Sequence, residues 1–513
     1  MSFYSVKSAS VSGLLVDMIQ VEADVSNGLP VFHMVGYLSS EVKEASDRVR
    51  TAIRNTGLHL PARHIVVNLS PGDQKKKGTS FDLPIALSVL ISSGVLPPME
   101  LDDTLIMGEL GLDGSLKAVP GILPAVLKAK EEGCVRCILP KGNVKEAMLV
   151  DGIEVFGISN LSEICEFLLG EIDLDSSLGS YEDYADVALE KQLDFAEIHG
   201  QSAVKRAAEV AVSGGHNLLF IGPPGSGKSM VAQRIPSILP AMTMEESMEV
   251  TKIYSIMGMV DEEHPLFTRR PFRSVHHTIT KAGLVGGGSI PNPGEISLAH
   301  NGVLFLDELT EFQKPVLEVL RQPLEEKKIL ISRNQGTYQF PANFMLIAAM
   351  NPCPCGNYPD ARCNCTSLQI NRYLGKVSQP FLDRIDICIE APKIDYHALT
   401  CQENEESSET IRKRVERARE IQKERYRSEG ISTNSLLNVK QIEKYCRLGR
   451  EETALMKKAF ATYSLTARTY HKILKVARTI ADLDESEKIQ LVHLKEAIGY
   501  RSIDQKYWGG AVS

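Results

Sequence analysis

What this chain has little of narrows it before any motif is read. Aromatic residues make up 6% of it, with a single tryptophan, Trp508. No apolar run reaches the roughly 18 residues a helix needs to cross a bilayer. The best candidate, Leu83 to Met99, is broken by Ser88, Ser92, Ser93, Gly94, Pro97 and Pro98. Met1 to Lys7 lacks the basic-then-apolar layout of a secretory signal. No membrane partner is expected, and a cytoplasmic location is. Positive charge is in deficit, at a net −8. That excludes a protein that coats nucleic acid by bulk charge and restricts any such contact to a few focused cations. Cysteine is not spread as in a disulfide framework, because four of the ten fall within residues 353–365.

What is present is ordinary for a folded chain: 43% hydrophobic and 24% charged residues. At 513 residues the chain is too long for one core. Residues 1–170 mix strand-like runs (Leu14 to Val16, His64 to Leu69) with an apolar helix-like run, Leu83 to Leu96. Ala125 to Glu132 adds an amphipathic helix, and the mixture predicts an α+β unit. Residues 171–193 carry Asp173, Asp175, Glu182, Asp183, Asp186 and Glu190 and read as an acidic linker. Residues 194–393 alternate helices with short apolar runs at Leu218, Val303 and Phe344, the pattern of a buried parallel sheet. Residues 394–513 read as helical throughout. The expected fold class is therefore α/β multidomain.

Gly222, Pro223, Pro224, Gly225, Ser226, Gly227, Lys228 and Ser229 form a complete G-x-x-x-x-G-K-[ST] pattern between a strand-like and a helix-like run. Such a loop turns successive N–H groups onto phosphate oxygens, and the helix behind it adds its positive end. Lys228 would neutralise ATP phosphates and Ser229 would ligate Mg²⁺. The apolar run Val303 to Leu306 delivers Asp307 and Glu308 at a strand end, where open α/β sheets bind ligands. Asp307 would complete the Mg²⁺ shell and Glu308 would polarise the attacking water. A third apolar run ends at Asn351, whose amide would orient that water.

Cys353, Cys355, Cys363 and Cys365 form C-x-C-x7-C-x-C around turn formers. Four thiolates so close can close around one structural Zn²⁺. Cys134, Cys137, Cys165, Cys388, Cys401 and Cys446 read as packing residues.

Together these elements resemble an AAA+ ATPase. More narrowly, Pro271 to Thr278, Leu284 to Gly288, Pro293 to Leu309, Asn351 to Gly356 and Leu465 to Leu483 are similar to the Mg-chelatase-like ComM/YifB family. The resemblance runs from end to end. It implies a homohexameric ring with ATP between subunits and a helical lid at the C-terminus. By the same match Arg384 is a finger reaching a neighbour's γ-phosphate, and Arg468 senses nucleotide in cis. A helix-2 insert from His276 to Ser297 and a hairpin over Lys327 to Gln339 would face the pore. Lys281, Lys327, Lys328 and Arg333 are then the candidate contacts to single-stranded or branched DNA.

Residues 1–170 resemble the protease domain of the Lon family (an S5-like fold). Lys77 to Ser80 falls where that family has its nucleophile, and Met107 to Gly121 matches a later strand and turn. The resemblance requires a lysine base just after that turn, but the nearest downstream lysine is Lys128. Ser80 without a base is only an alcohol, so no peptidase activity is expected. The family implies an ATP-driven branch-migration helicase serving natural transformation. A magnesium-chelatase motor subunit and a protein-remodelling ring are the competing readings.

Overall fold

The computed structural model describes residues 3–180, 193–288, 291–333, 336–393, 405–463 and 465–508. Period-two alternation builds its first sheet. Along Leu15–Ser26 the residues Ile19, Val21, Ala23 and Val25 turn inward, and along His64–Ser70 so do Ile65, Val67 and Leu69. These strands belong to an eight-stranded mixed sheet. Its spatial order is Ser176–Leu178, Glu154–Ile158, Arg136–Pro140, Thr104–Ile106, Phe3–Ser12, Leu15–Ser26, His64–Ser70 and Phe32–Val35. The helix Asp82–Ser92 packs on its central strands and is buried on every side, as a helix apolar all round must be. It stops short of the expected Leu96 because Gly94 adopts φ +76.

Two expectations in this region are corrected. Leu14 to Val16 is not a buried strand of its own. Gly13 (φ 61) and Leu14 form the turn between Phe3–Ser12 and Leu15–Ser26, and Leu15 is exposed. The apolar character there serves a contact outside the sheet. The Gly13 turn lies against the rings of Phe340 and Tyr338 in the central unit. The acidic segment 171–193 is likewise not wholly a linker, since Ser176–Leu178 pairs antiparallel with Glu154–Ile158 and closes the sheet edge. Residues 181–192 of that segment lie outside the described residues.

The central sheet has five strands, all parallel, in the order Phe272–Val275, Val303–Leu306, Met345–Met350, Leu218–Ile221 and Ile387–Glu390. Every residue of the three middle strands is buried, because helices cover both faces of such a sheet. The insert folds as the short helix Lys281–Val285, the two-residue strands Gly286–Gly287 and Asn292–Pro293, and the turn of helix Glu295–Leu298. The hairpin is Lys328–Arg333 paired with Gly336–Pro341. Among the described residues, five α-helices make the C-terminal unit: Ser408–Arg425, Val439–Tyr445, Arg450–Thr462, Ala467–Leu483 and Leu491–Trp508. Its apolar side shares one core with the phosphate-loop side of the sheet. No helix among the described residues is long and apolar enough to cross a membrane.

Candidate functional site

Because the five strands run parallel, the sheet has one edge of strand C-termini and one of N-termini. Each edge gathers a different half of the expected machinery. At the C-terminal edge the loop Gly222 to Gly227 leaves Leu218–Ile221 and feeds the helix Lys228–Ile238. Gly222 is required by close approach, since a methyl there would lie 2.2 Å from the Ala391 carbonyl oxygen. Gln201 fixes the loop from the side, its Nε2 donating to Ser226 O at 3.1 Å and Pro392 O at 2.7 Å.

Lys228 is buried, and its ammonium donates to Gly222 O and Pro223 O at 2.8 Å and to Asn351 Oδ1 at 3.3 Å. Burial pulls its pKa below the ordinary lysine value, with Asp307 pulling the other way. A buried ammonium among neutral acceptors is the donor set a phosphate fits. The Ser229 hydroxyl donates to Asp307 Oδ2 at 2.7 Å. Hydroxyl and carboxylate oxygens side by side suit Mg²⁺. Glu308 follows at φ 51, a left-handed conformation uncommon for a residue with a Cβ. Its carboxylate stands 3.6 Å from His277 Nδ1. A cavity of about 480 Å³ opens here, lined by Glu308, Asn351, Pro354, Arg372, Tyr373 and Lys376. Lys228, Ser229, Asp307, Glu308 and Asn351 are thus brought together. His277, Gln201, Arg372 and Lys376 were not foreseen, because a lone polar residue in sequence carries no signal of which edge it will face.

The two arginines lie elsewhere. Arg384 precedes Ile387–Glu390 at the opposite, N-terminal edge, where its carbonyl accepts from Asn217 Nδ2 at 2.9 Å. It is buried, donates to Pro380 O at 2.7 Å and pairs with Glu325 at 2.6 Å. Arg468, at the start of Ala467–Leu483, is 3.8 Å from the same Glu325 and 3.7 Å from Asp383. Both line one cleft of about 440 Å³ that shares no residue with the phosphate loop. At about 3.3 Å per residue, the strands hold the two edges at least ~10 Å apart. The expected cis role of Arg468 is therefore corrected: it shares an edge with Arg384, not with its own chain's phosphate loop. Glu325, which holds both arginines, was also missed.

Deeper in this cleft lies Asp386. Burial alone would raise its carboxyl, but Lys472, His216 and Lys475 hold it well below the ordinary value. Lys327 belongs here too, which corrects its placement on the hairpin. It is the left-handed C-cap (φ 56) of the helix Arg321–Glu326, just before the hairpin strand. Its ammonium is turned into the cleft, where burial lowers its pKa and Asp386 opposes the shift. Lys281 is exposed on the insert and Lys328 is half-buried. Arg333 ends its hairpin strand with Nε donating to Gly288 O at 3.3 Å, so the hairpin and the insert meet.

The four cysteines converge, with all sulfurs within 4.8 Å of one another. Cys353 Sγ lies 3.4 Å from Cys355 Sγ and 3.7 Å from Cys363 Sγ, and the last two are 3.6 Å apart. A tetrahedron with Zn–S bonds of about 2.3 Å has edges of about 3.8 Å, so the set fits Zn²⁺. Cys134, Cys137, Cys165, Cys388 and Cys446 are buried as packing residues, and Cys401 lies outside the described residues. In the N-terminal unit, the Ser80 carbonyl accepts from Gly108 N at 2.9 Å. The nearby cation Arg48 is bound to Asp82 at 2.8 and 2.9 Å, and Lys128 pairs with Glu131 and Glu132.

Comparison with known proteins gives the lineage. The family described as "Magnesium chelatase, subunit ChlI" matches residues 194–399. "Subunit ChlI of Mg-chelatase" matches 21–143, and "Magnesium chelatase, subunit ChlI C-terminal" matches 405–501. Competence protein ComM of Haemophilus influenzae is 42% identical over 98% of this chain and 98% of its own length. The chain belongs to the Mg-chelatase-like ComM/YifB family. YifB of Escherichia coli is 41% identical over 98% of both chains. Lon protease 2 of Bacillus subtilis is 29% identical over 25% of this chain and 23% of its own length, and DNA repair protein RadA of Escherichia coli 31% over 21% and 23%. The ComM/YifB membership carries an AAA+-type ATPase core behind a Lon-like N-terminal region.

Proposed function

We propose that this chain is one protomer of a homohexameric ring that hydrolyses ATP between subunits and uses it to drive DNA. One observation carries the reading: the two half-sites stand on opposite edges of the same parallel sheet. A phosphate loop with Asp307, Glu308 and Asn351 forms one, and Arg384 with Arg468 forms the other. A hydrolytic centre then needs the first edge of one copy and the second edge of the next. ATP rests on the loop Gly222 to Ser229, with Lys228 on its outer phosphates. Ser229 and Asp307 hold the Mg²⁺ that neutralises phosphate charge. Glu308 takes the proton of the attacking water, and the Asn351 amide aligns that water. The neighbour's Arg384, released from Glu325, meets the charge that builds on the γ-phosphate, a contribution of roughly 10³–10⁵ in rate in related NTPases. Arg468 acts beside it, also in trans.

DNA as the substrate is supported by the names of two relatives, a competence protein and a DNA repair protein. Lys281, Lys328 and Arg333 on the adjoining insert and hairpin are the grip. Repetition around a ring multiplies these few cations in a chain of net charge −8. The work done is branch migration during uptake of DNA. The four cysteines hold a structural Zn²⁺, since four protein ligands leave no open position.

The second reading, a chelatase motor subunit, is favoured by the family descriptions, including the one that matches 21–143. The N-terminal unit therefore does not by itself separate the two. ATPase measured with single-stranded DNA and a four-way junction, together with strand exchange on the junction, tests the proposal. Stimulation with migration is expected. Stimulation only by a porphyrin-chelatase partner would move the function to the second reading.

A further inference from the structure

The chain leaves the strand Met345–Met350 at Asn351 and, through the cysteine segment, returns onto the phosphate loop. Gly356 stands at φ +79 against that loop, and a methyl on it would lie 2.4 Å from Pro224 Cδ. Pro354, between the first two cysteines, lines the cavity of Glu308 and Asn351. Cys353 is buried, and its sulfur accepts from the Tyr358 N–H at 3.4 Å. The Tyr358 ring meets Tyr507 edge-on, with centroids 6.1 Å apart. The Tyr507 hydroxyl in turn donates to Glu390 at 2.7 Å. Glu390 precedes Ala391, whose carbonyl abuts Gly222 on the other flank of the loop. The cysteine segment thus touches the loop directly on one side and reaches its other side through the last helix.

Little apolar burial holds this segment in place: Cys353 belongs to the core, and only Tyr358, Cys363 and Cys365 pack against its edge. Of residues 353–365 only Cys353 and Gly356 are buried, and none is in a helix or strand. Ordering such a stretch costs backbone entropy that its own burial does not offset. Metal ligation supplies the difference in small loops of this kind.

We infer that Zn²⁺ held by Cys353, Cys355, Cys363 and Cys365 makes this knuckle a fixed wall for the phosphate loop, so that zinc occupancy governs nucleotide affinity. The inference rests on the zinc assignment made above. The sheet and its core do not depend on the metal. Loss of zinc frees the knuckle, releases Pro224 and lets the loop N–H groups drift from the phosphate oxygens.

The test uses the full chain and three readouts: zinc by elemental analysis, affinity for a fluorescent ADP analogue, and thermal melting. About one zinc per chain is expected. Removal of zinc by a chelator, or by Cys363→Ser with Cys365→Ser, is expected to weaken the analogue by roughly tenfold to a hundredfold, about the worth of one hydrogen bond to a charged phosphate oxygen. Should the double variant fail to fold, Gly356→Ala decides, because it keeps all four thiolates while its methyl meets Pro224, and the backbone strain of alanine at φ +79 is read separately from melting. It should retain zinc and melt somewhat below the parent, since a left-handed backbone strains alanine, yet bind the analogue more weakly. A parent without zinc overturns the metal assignment and the inference with it. Zinc present in the parent, with affinity unchanged after its removal or in Gly356→Ala, overturns the inference alone.

Discussion

Glu308 is the residue whose backbone is most telling. It holds φ 51 immediately after a strand whose every residue is buried. A left-handed conformation costs a non-glycine residue about 1–2 kcal/mol, and the surrounding sheet holds it there with the carboxylate at the cavity. Glu308→Gln is expected to bind ATP and stay assembled while turnover falls by roughly 10²–10⁴. Rapid hydrolysis in that variant would remove the residue from its role. A second carboxylate makes a pH prediction. Glu146 is buried, and burial raises its pKa above 4.5 although Ser255, Leu123 and Asn143 donate to it. The folded chain therefore holds this proton more tightly than the unfolded chain. That contribution is complete below the unfolded value and is lost as pH rises through the folded one. Melting temperatures taken upward from pH 4.5 should fall more steeply for the parent than for Glu146→Gln. Parallel curves would refute it.

At the scale of elements, the lid helices are fastened by a buried charge cluster. Asp482 on Ala467–Leu483 accepts from Arg425 at 2.9 and 2.5 Å and from Asn434 at 2.8 Å, and pairs with Arg478 at 3.0 Å. Asp482 and Arg478 are both buried. Asp482→Ala strands two guanidinium groups and should destabilise the fold by about 3–5 kcal/mol, read from urea unfolding; a loss below about 1 kcal/mol, the scale of a surface pair, would contradict it. The hairpin makes a different forecast. Lys327 caps a helix and turns into the cleft with Asp386, whereas Arg333 ends the hairpin strand beside the insert. Arg333→Ala should weaken DNA binding and lower its salt dependence by about one unit per contact. Lys327→Ala should leave both unchanged. Equal losses in the two variants would return Lys327 to the DNA surface.

At the scale of the whole molecule, the proposed ATPase centre has its two halves on opposite edges of one sheet. Lys228→Ala lacks a working phosphate loop but keeps both arginines, and Arg384→Ala has the reverse defect. Each alone should be nearly inactive, with Arg384→Ala down by roughly 10³–10⁵. Mixed in equal amounts they should regain activity, because some junctions join an intact loop to an intact arginine. Mixtures no more active than the separate variants, despite forming mixed rings, would defeat the trans assignment.

Much of this was written in the chain locally. The phosphate loop, the Asp307–Glu308 pair, Asn351 and the cysteine spacing each lie within one short segment, where spacing alone fixes which side chains can meet. The buried parallel strands were legible because strands covered on both faces are apolar throughout. Leu14 misled because its apolar character answers to the Phe340 and Tyr338 region across a unit boundary, which no local period records. Ser176–Leu178 reads as linker in the sequence because an exposed edge strand carries no apolar alternation. Tertiary structure alone decided which edge of the sheet each distant residue reached. It put Arg468 beside Arg384 and Glu325, drew Lys327 toward Asp386, and set Gly356 on Pro224. Sequence separation fixes no distance between such residues; strand direction and helix packing do.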